Sequence, residues 1–505
     1  MKLSKLIRIL FYILAIVLPV QTVLVKLFTV RFGFSDWIAL WKEAVILIII
    51  VYLLLIIFQD FYTNFQKLTK QKFVQYFFKH YFLILIFFLL NIVIIINSFV
   101  FNIVSLQVFA YGYRFELFWL GFFAIVATYL FLPIKNNQIL STTFVDNLKK
   151  SIFIGFGLSA VFTFITLLFG ANEVLTWVGF GSVKEGSLVA QSVTCNVIDF
   201  GSSTCRVSGS FASPNHFAGY LLLVAPVFLI NFIDNYLKWR KYHLLHKRNL
   251  FSKNSPIWNL LLISLLILIL AIFLLLTVSR FAWLGMMIFI GLILIYFGHQ
   301  FKIYNQKITK FLLGLLLFIP VLIGTVGINL DPQISAKFLP TAIAKPSSTI
   351  EHYRHTMASL EVLTTSGRYL QGFGLGSSGS VATEQYQDLE SNNIYKDHKF
   401  IALDWFLTLN RITIPENWYI SVFLNGGLFY FLLYISLVLY PILVFYKFFK
   451  SKQFTLDYLK MLLIGTGFFS ILIGNLFLHI WENQTIAIFW TLLFMLNFSY
   501  KKELN

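Results

Sequence analysis

Several charged side chains stand at the edges of long apolar runs, where a charge is either an anchor or a reagent. Arg280 lies in SRFAWLG, between two apolar runs. Its planar guanidinium matches the oxygens of a phosphate; the plainer reading is a snorkelling anchor at a helix end. Arg354 lies in TIEHYRHTMASLEVL, with Glu351 one turn before it as a local ion-pair partner; the plainer reading is a solvated helix face. Arg114, in YGYRFE, has Glu116 nearby and the same two readings. Lys42 and Glu43 fall inside an apolar run, where a charge costs about 2.5–3.5 kcal/mol at the bilayer centre and less near its edge. Adjacent helical residues point about 100° apart, so the two do not simply neutralise each other and at least one is expected to face a polar cavity. Glu416 and Asn417 sit in PENWY, ahead of another apolar run. With Pro415 just before the helix, Glu416 is expected in its first turn, where the dipole favours an anion. The chemical reading of Glu416 is a general base.

The elements that must hold these residues are membrane spans. Hydrophobic residues make up 58% of the chain and charged residues 12%. A soluble globule has about 45–50% and 25%. We read an all-α polytopic membrane protein with about twelve apolar segments long enough to cross. They begin near Ile7, Trp37, Tyr81, Phe115, Ser151, Asn215, Ile257, Phe281, Phe311, Asn417, Lys460 and Thr485. The first is not expected to be a cleaved signal peptide, because it lacks a small-residue cleavage site. With both termini in the cytoplasm, the inner connections hold about 25 Lys and Arg against about 6 in the short outer ones. The net charge of +18 then resides on the cytoplasmic face. Basic clusters such as Lys238–Arg248 are topology signals, and no nucleic-acid partner is expected.

The whole chain, 1–505, reads as one membrane domain without an internal repeat. Two outer insertions interrupt it. Gly170–Pro214 holds both cysteines, Cys195 and Cys205, which point to a disulfide on the oxidising side; the alternative is two free thiols. No metal site is expected. The second insertion, Asn329–Glu416, lies between the ninth and tenth spans. Thr349–Leu363 reads as an amphipathic helix, and Gly367 and Gly372–Gly379 break regular structure after it. Ser377–Lys399 reads as a polar, mobile stretch, and Phe400–Leu409 as a short interfacial helix.

Four segments in order resemble the O-antigen ligase and O-antigen polymerase family. They are SFASPNHFAGYLLLVAPVFL, LTVSRFAWLGMMIFIGL, EHYRHTMASLEVL with LQGFGLGSSG, and PENWYISVFLNGGLFYFLLY. The resemblance covers about Ser210–Tyr434; before that only the layout agrees. Phe281 stands where the family usually has glycine. The resemblance implies a cofactor- and metal-independent glycosyltransferase on the outer face of the cytoplasmic membrane. Its donor would be an oligosaccharide on undecaprenyl diphosphate, and its acceptor a glycan, lipid or protein hydroxyl. Arg280 and Arg354 would bind the diphosphate, with Arg114 and Lys42 beside them. Glu416 would be the base. Asn215, Asn417 and Tyr419 would line the substrate site, and the long loop would be its lid.

Ligases of this family that act on lipid A-core usually carry His at the position of Glu416. The carboxylate favours a repeat-unit polymerase, with a ligase or protein O-oligosaccharyltransferase as alternatives. A flippase or transporter for lipid-linked glycans is the competing class.

Overall fold

The computed structural model describes residues 3–102, 104–133, 141–179, 207–211, 213–246, 256–277, 279–300, 308, 311–313, 315, 359–378, 417–449, 456–476 and 480–504. The described residues contain helices and turns and no strand. Ten of the helices are long and apolar enough to cross a membrane: Leu3–Arg31, Trp37–Lys67, Phe82–Phe101, Leu106–Phe131, Thr142–Phe169, Pro214–His243, Ile257–Leu276, Phe281–His299, Trp418–Val444 and Leu456–Gly474. A shorter apolar helix, Gln484–Ser499, follows. This is a multi-pass helical membrane protein. Helices satisfy their own backbone hydrogen bonds, which an apolar medium demands.

The expected starts agree with these helices in most places. The helices from Leu106 and Thr142 begin well ahead of the expected Phe115 and Ser151. The extra residues include Arg114 and the Asp146–Lys149 pair, charges that hydropathy discounts but a folded helix accommodates. Both early starts are capped. Ser105 Oγ accepts from Val108 N at 3.3 Å, and Ser141 Oγ accepts from Phe144 N at 3.2 Å. Apart from residues 311–313 and 315, which are helical, the expected span from Phe311 lies outside the described residues, as do the cysteines Cys195 and Cys205 and the expected interfacial helix at Phe400–Leu409.

Leu106–Phe131, Pro214–His243 and Leu456–Gly474 are the most enclosed spans, and Trp37–Lys67 and Ile257–Leu276 the most peripheral. Phe123 packs edge-on against Phe494 at 5.2 Å, and Tyr220 against Phe489 at 5.0 Å, so the C-terminal helix joins this centre. Three π-helical stretches, Leu27–Arg31, Ile96–Phe101 and Tyr113–Leu117, lie at one end of the bundle. The long loop returns to the membrane at that same end, called here the loop end. Such widened turns often occur at functional sites, because they re-aim side chains out of helical register.

The helix from Trp418 is broken at Gly427, with φ 71° and ψ −172°. That region is open essentially to glycine alone. The glycine-rich segment fills the break. Phe373 N donates to Leu424 O at 2.7 Å, Gly374 N to Asn425 O at 2.8 Å, and Asn97 Nδ2 to Gly426 O at 2.6 Å. Beyond the break, Leu428 N donates to Tyr369 O at 2.9 Å. Four backbone groups at the kink, the carbonyls of Leu424, Asn425 and Gly426 and the N–H of Leu428, thus find partners from elsewhere in the chain, as burial requires.

Residues 359–366 are helical, in line with the end of the expected loop helix. Val362 and Leu363 bury against Phe373 and Leu424. The start of the expected polar stretch does not behave as read. Ser377 and Ser378 are buried, and Ser378 N donates to Asn425 Oδ1 at 2.9 Å. The hydroxyl-rich composition there serves an internal hydrogen-bond network instead of solvent.

Gly427→Ala is expected to lower stability by about 1–3 kcal/mol, since a Cβ would both strain the backbone and strike the Leu370 carbonyl. Thermal unfolding of the detergent-purified protein measures this. An unchanged midpoint would mean that the break is dispensable.

Candidate functional site

Several helix N-termini meet at the loop end. Ser279 Oγ donates to Asn215 Oδ1 at 3.1 Å, tying the start of the helix Arg280–Gln300 to the start of Pro214–His246. Phe281 covers Gly474, whose missing Cβ would lie 3.0 Å from the ring. The bulky residue at a position read as glycine is therefore accommodated by a glycine on the facing helix. Just beyond, Asn475 O accepts from Trp418 N at 3.0 Å and Asn475 Oδ1 accepts from Trp481 N at 3.1 Å. Asn483 Oδ1 then caps the last helix through Thr485 N at 3.0 Å.

Four helices thus begin close together, at Pro214, Arg280, Trp418 and Gln484. Helix starts present backbone N–H groups and the positive end of the dipole, which together favour an anion. Two buried donors in the same place have no acceptor among the described residues: Asn475 Nδ2 and Trp481 Nε1. A polar ligand or water at this place would satisfy them.

The expected site residues sort into three groups. Arg354 and Glu416 lie outside the described residues. Arg280 opens its helix, but its side chain is not described. Asn417 and Tyr419 are in place but occupied structurally. Asn417 Oδ1 accepts from Tyr419 N at 3.0 Å and Ile420 N at 3.2 Å, so Asn417 is the N-cap. The helix starts at Trp418, which corrects the expectation that its first turn begins at Glu416. Tyr419 Oη donates to Leu472 O at 2.9 Å. Asn215 is engaged by Ser279, as above.

Arg114 and Lys42 form the third group, and here the structure corrects two expectations. Arg114 was expected beside Glu116, ahead of its span. It lies within the span, in the π-helical stretch, and pairs with Glu43 from Trp37–Lys67. Nη2 is 2.6 Å and Nε 2.7 Å from Glu43 Oε1. Lys42 and Glu43 do meet, at 3.5 Å between Nζ and Oε2. Long side chains close the angle between neighbouring positions. Lys42 Nζ also donates to Ala39 O at 3.1 Å.

The widened turn sends Glu116 the opposite way, to the helix break. Glu116 is 4% exposed, accepts from Asn425 Nδ2 and accepts from Tyr430 Oη at 3.2 Å. Sequence reading passed over this carboxylate as a surface partner of Arg114. Its signal was available: an acidic residue in an apolar segment is a functional candidate by default. Asn97, Ser98 and Asn102 were passed over too. Leu375 N donates to Ser98 Oγ at 2.9 Å, and Asn102 Nδ2 to Asn97 O at 2.7 Å. Arg368 donates to Asn102 Oδ1 and sits 5.6 Å from the Phe373 ring centroid. Burial pushes its guanidinium below the usual range. These contacts fasten the glycine-rich segment.

A separate polar cluster sits at the opposite end. Asp60 Oδ2 accepts from Tyr76 Oη at 2.7 Å and Tyr81 Oη at 2.6 Å. Burial and the carboxylate push both phenols well above their usual range. No group of metal-ligating residues occurs among the described residues. No protein-family model, curated protein or solved structure matches the chain.

Asn417→Ala is expected to cost about 0.5–2 kcal/mol of stability, while Asn417→Asp keeps the cap. Thermal unfolding of the two variants separates these outcomes. Equal loss in both would remove the capping role.

Proposed function

We propose that this protein is a glycosyltransferase of the cytoplasmic membrane, with its site facing outward at the loop end. It moves an oligosaccharide from undecaprenyl diphosphate to an acceptor hydroxyl at the end of a growing glycan. The observation that carries this reading is the meeting of four helix starts around two unsatisfied buried donors, Asn475 Nδ2 and Trp481 Nε1. A diphosphate suits such a place, because backbone N–H groups and dipoles stabilise the charge that develops on a leaving phosphate.

The bond that breaks joins the anomeric carbon of the donor sugar to the diphosphate oxygen, and the electron pair leaves with the diphosphate. The acceptor oxygen forms the new glycosidic bond, and its proton passes to Glu416. Arg280 opens one of the converging helices, and in the sequence Glu416 directly precedes Asn417, the cap of another. Arg354 belongs to the segment that leads into the buried glycine-rich stretch.

A transporter for the same lipid-linked glycan has one observation in its favour, the discontinuous helix at Gly427. Broken helices in transporters hold ions or substrate with their freed carbonyls. Here the carbonyls of Leu424, Asn425 and Gly426 are already taken by Phe373, Gly374 and Asn97. The break holds the chain's own loop, which favours the enzyme.

Arg280→Ala and Arg354→Ala are each expected to lower transfer by about 100-fold or more. Glu416→Gln is expected to abolish transfer and keep donor binding. Purified protein, defined undecaprenyl diphosphate oligosaccharides and mass spectrometry test this. A ladder of products marks a polymerase, and a single addition to lipid or protein marks a ligase or protein transferase. Lipid flipping in vesicles without a new glycosidic bond would establish the transporter.

A further inference from the structure

The cluster Lys42–Glu43–Arg114 joins three charges inside the described spans, and the resemblance gives Lys42 and Arg114 a place beside the diphosphate but gives Glu43 none. It holds two cations and one anion at membrane depth. Lys42 is 5% exposed and Glu43 9%, whereas the Arg114 side chain is 30% exposed. An excess cation in an apolar span is costly unless an anion joins it.

The geometry within the cluster is directional. Glu43 Oε1 takes both Nε, at 2.7 Å, and Nη2, at 2.6 Å, from Arg114. One edge of the guanidinium is therefore held, and Nη1 and the outer hydrogens point away from the carboxylate. A guanidinium has five donors in a rigid fork, so gripping one side fixes the aim of the other. Lys42 sits 3.5 Å from the second carboxylate oxygen and anchors Glu43 in turn. The π-helical stretch that carries Arg114 also packs on Ile480–Glu482, the turn that holds Trp481 beside Asn475. The exposed edge of Arg114 therefore belongs to the same end of the bundle as the converging helix starts.

We propose that Glu43 is a positioning residue for the donor site: it holds Arg114 so that the free edge of the guanidinium takes the lipid-linked diphosphate. This rests on the functional reading above only for the identity of the anion. Glu43 touches no substrate and acts through Arg114. Two effects oppose each other when Glu43 is lost. Removing a negative charge favours an anion by simple electrostatics. Against that, Arg114 regains the freedom of a long side chain and meets Lys42 without a counter-ion. The two contacts to one oxygen indicate that orientation prevails.

The test is binding of undecaprenyl diphosphate to the full-length protein in nanodiscs, read by native mass spectrometry, with undecaprenyl monophosphate as a second probe. Glu43→Ala is expected to weaken diphosphate binding about tenfold. Glu43→Asp is expected to recover part of the loss. On an Arg114→Gln background, Glu43→Ala is expected to add nothing, because the pathway through Arg114 is already gone. Unchanged or tighter binding by folded Glu43→Ala, or fully additive losses in the double variant, would overturn the proposal. Should Glu43→Ala fail to fold, Glu43→Gln, which keeps an acceptor oxygen without the charge, takes its place with the same expected direction. If the wild-type protein binds the lipid diphosphate but forms no glycosidic bond, the transfer reading falls and the positioning role stands. If it binds neither lipid, both fall.

Discussion

A helix broken inside a membrane leaves backbone donors and acceptors with no water to meet them, and much of this structure follows from how that is resolved. The helix from Trp418 breaks at Gly427, and the three carbonyls before the break are taken by Phe373, Gly374 and Asn97. The glycine-rich segment is consequently an internal part of the bundle. Gly112 and Gly376 allow backbone to approach backbone there, with a Cβ on Gly112 only 2.7 Å from Gly376 N. Side chains finish the attachment: Ser98 on Leu375, Asn425 on Ser378, and Asn102 on Arg368. A loop so fastened at one point can position whatever its flanking segments carry.

The second organising feature is the widened turn Tyr113–Leu117. In a regular helix, residues two apart already diverge by about 200°. The π-helical stretch uses that divergence to supply two neighbouring spans from one short sequence. Arg114 reaches Glu43, and Glu116 reaches Asn425 and Tyr430 beside the helix break. Both charges are held inside the bundle by partners from distant parts of the chain. The same turn therefore links the cationic cluster, the break and the Ile480–Glu482 turn.

Segments read together in the sequence also meet in the packing. Phe281, a departure from the expected glycine, fits because Gly474 faces it. Asn215 and Ser279, from two of the resembling segments, bind each other. Asn417, from a fourth, caps the helix that follows, and Trp418 reaches Asn475 on another helix. Segments that are far apart in the chain thus share one end of the bundle, which is a reason for them to be read together.

The sequence by itself determined the class of fold and the position of most helices. Long apolar runs leave few alternatives in lipid, and serine or asparagine caps mark several starts. It also pointed to Lys42, Arg114 and the glycine-rich segment as unusual. It could not decide partners. Arg114 has Glu116 two residues away, yet it pairs with Glu43, because helical residues two apart face opposite ways and the packing of two spans brings Glu43 to it. Ser377 and Ser378 look like the start of a polar, mobile stretch, yet they are buried, because Ser421 and Asn425 on the helix from Trp418 bind Ser378 and Phe373 O accepts from Ser377. Local composition fixes how a segment partitions between water and lipid. Which polar groups meet inside the bundle depends on contacts between residues hundreds of positions apart, and only the tertiary structure decides those.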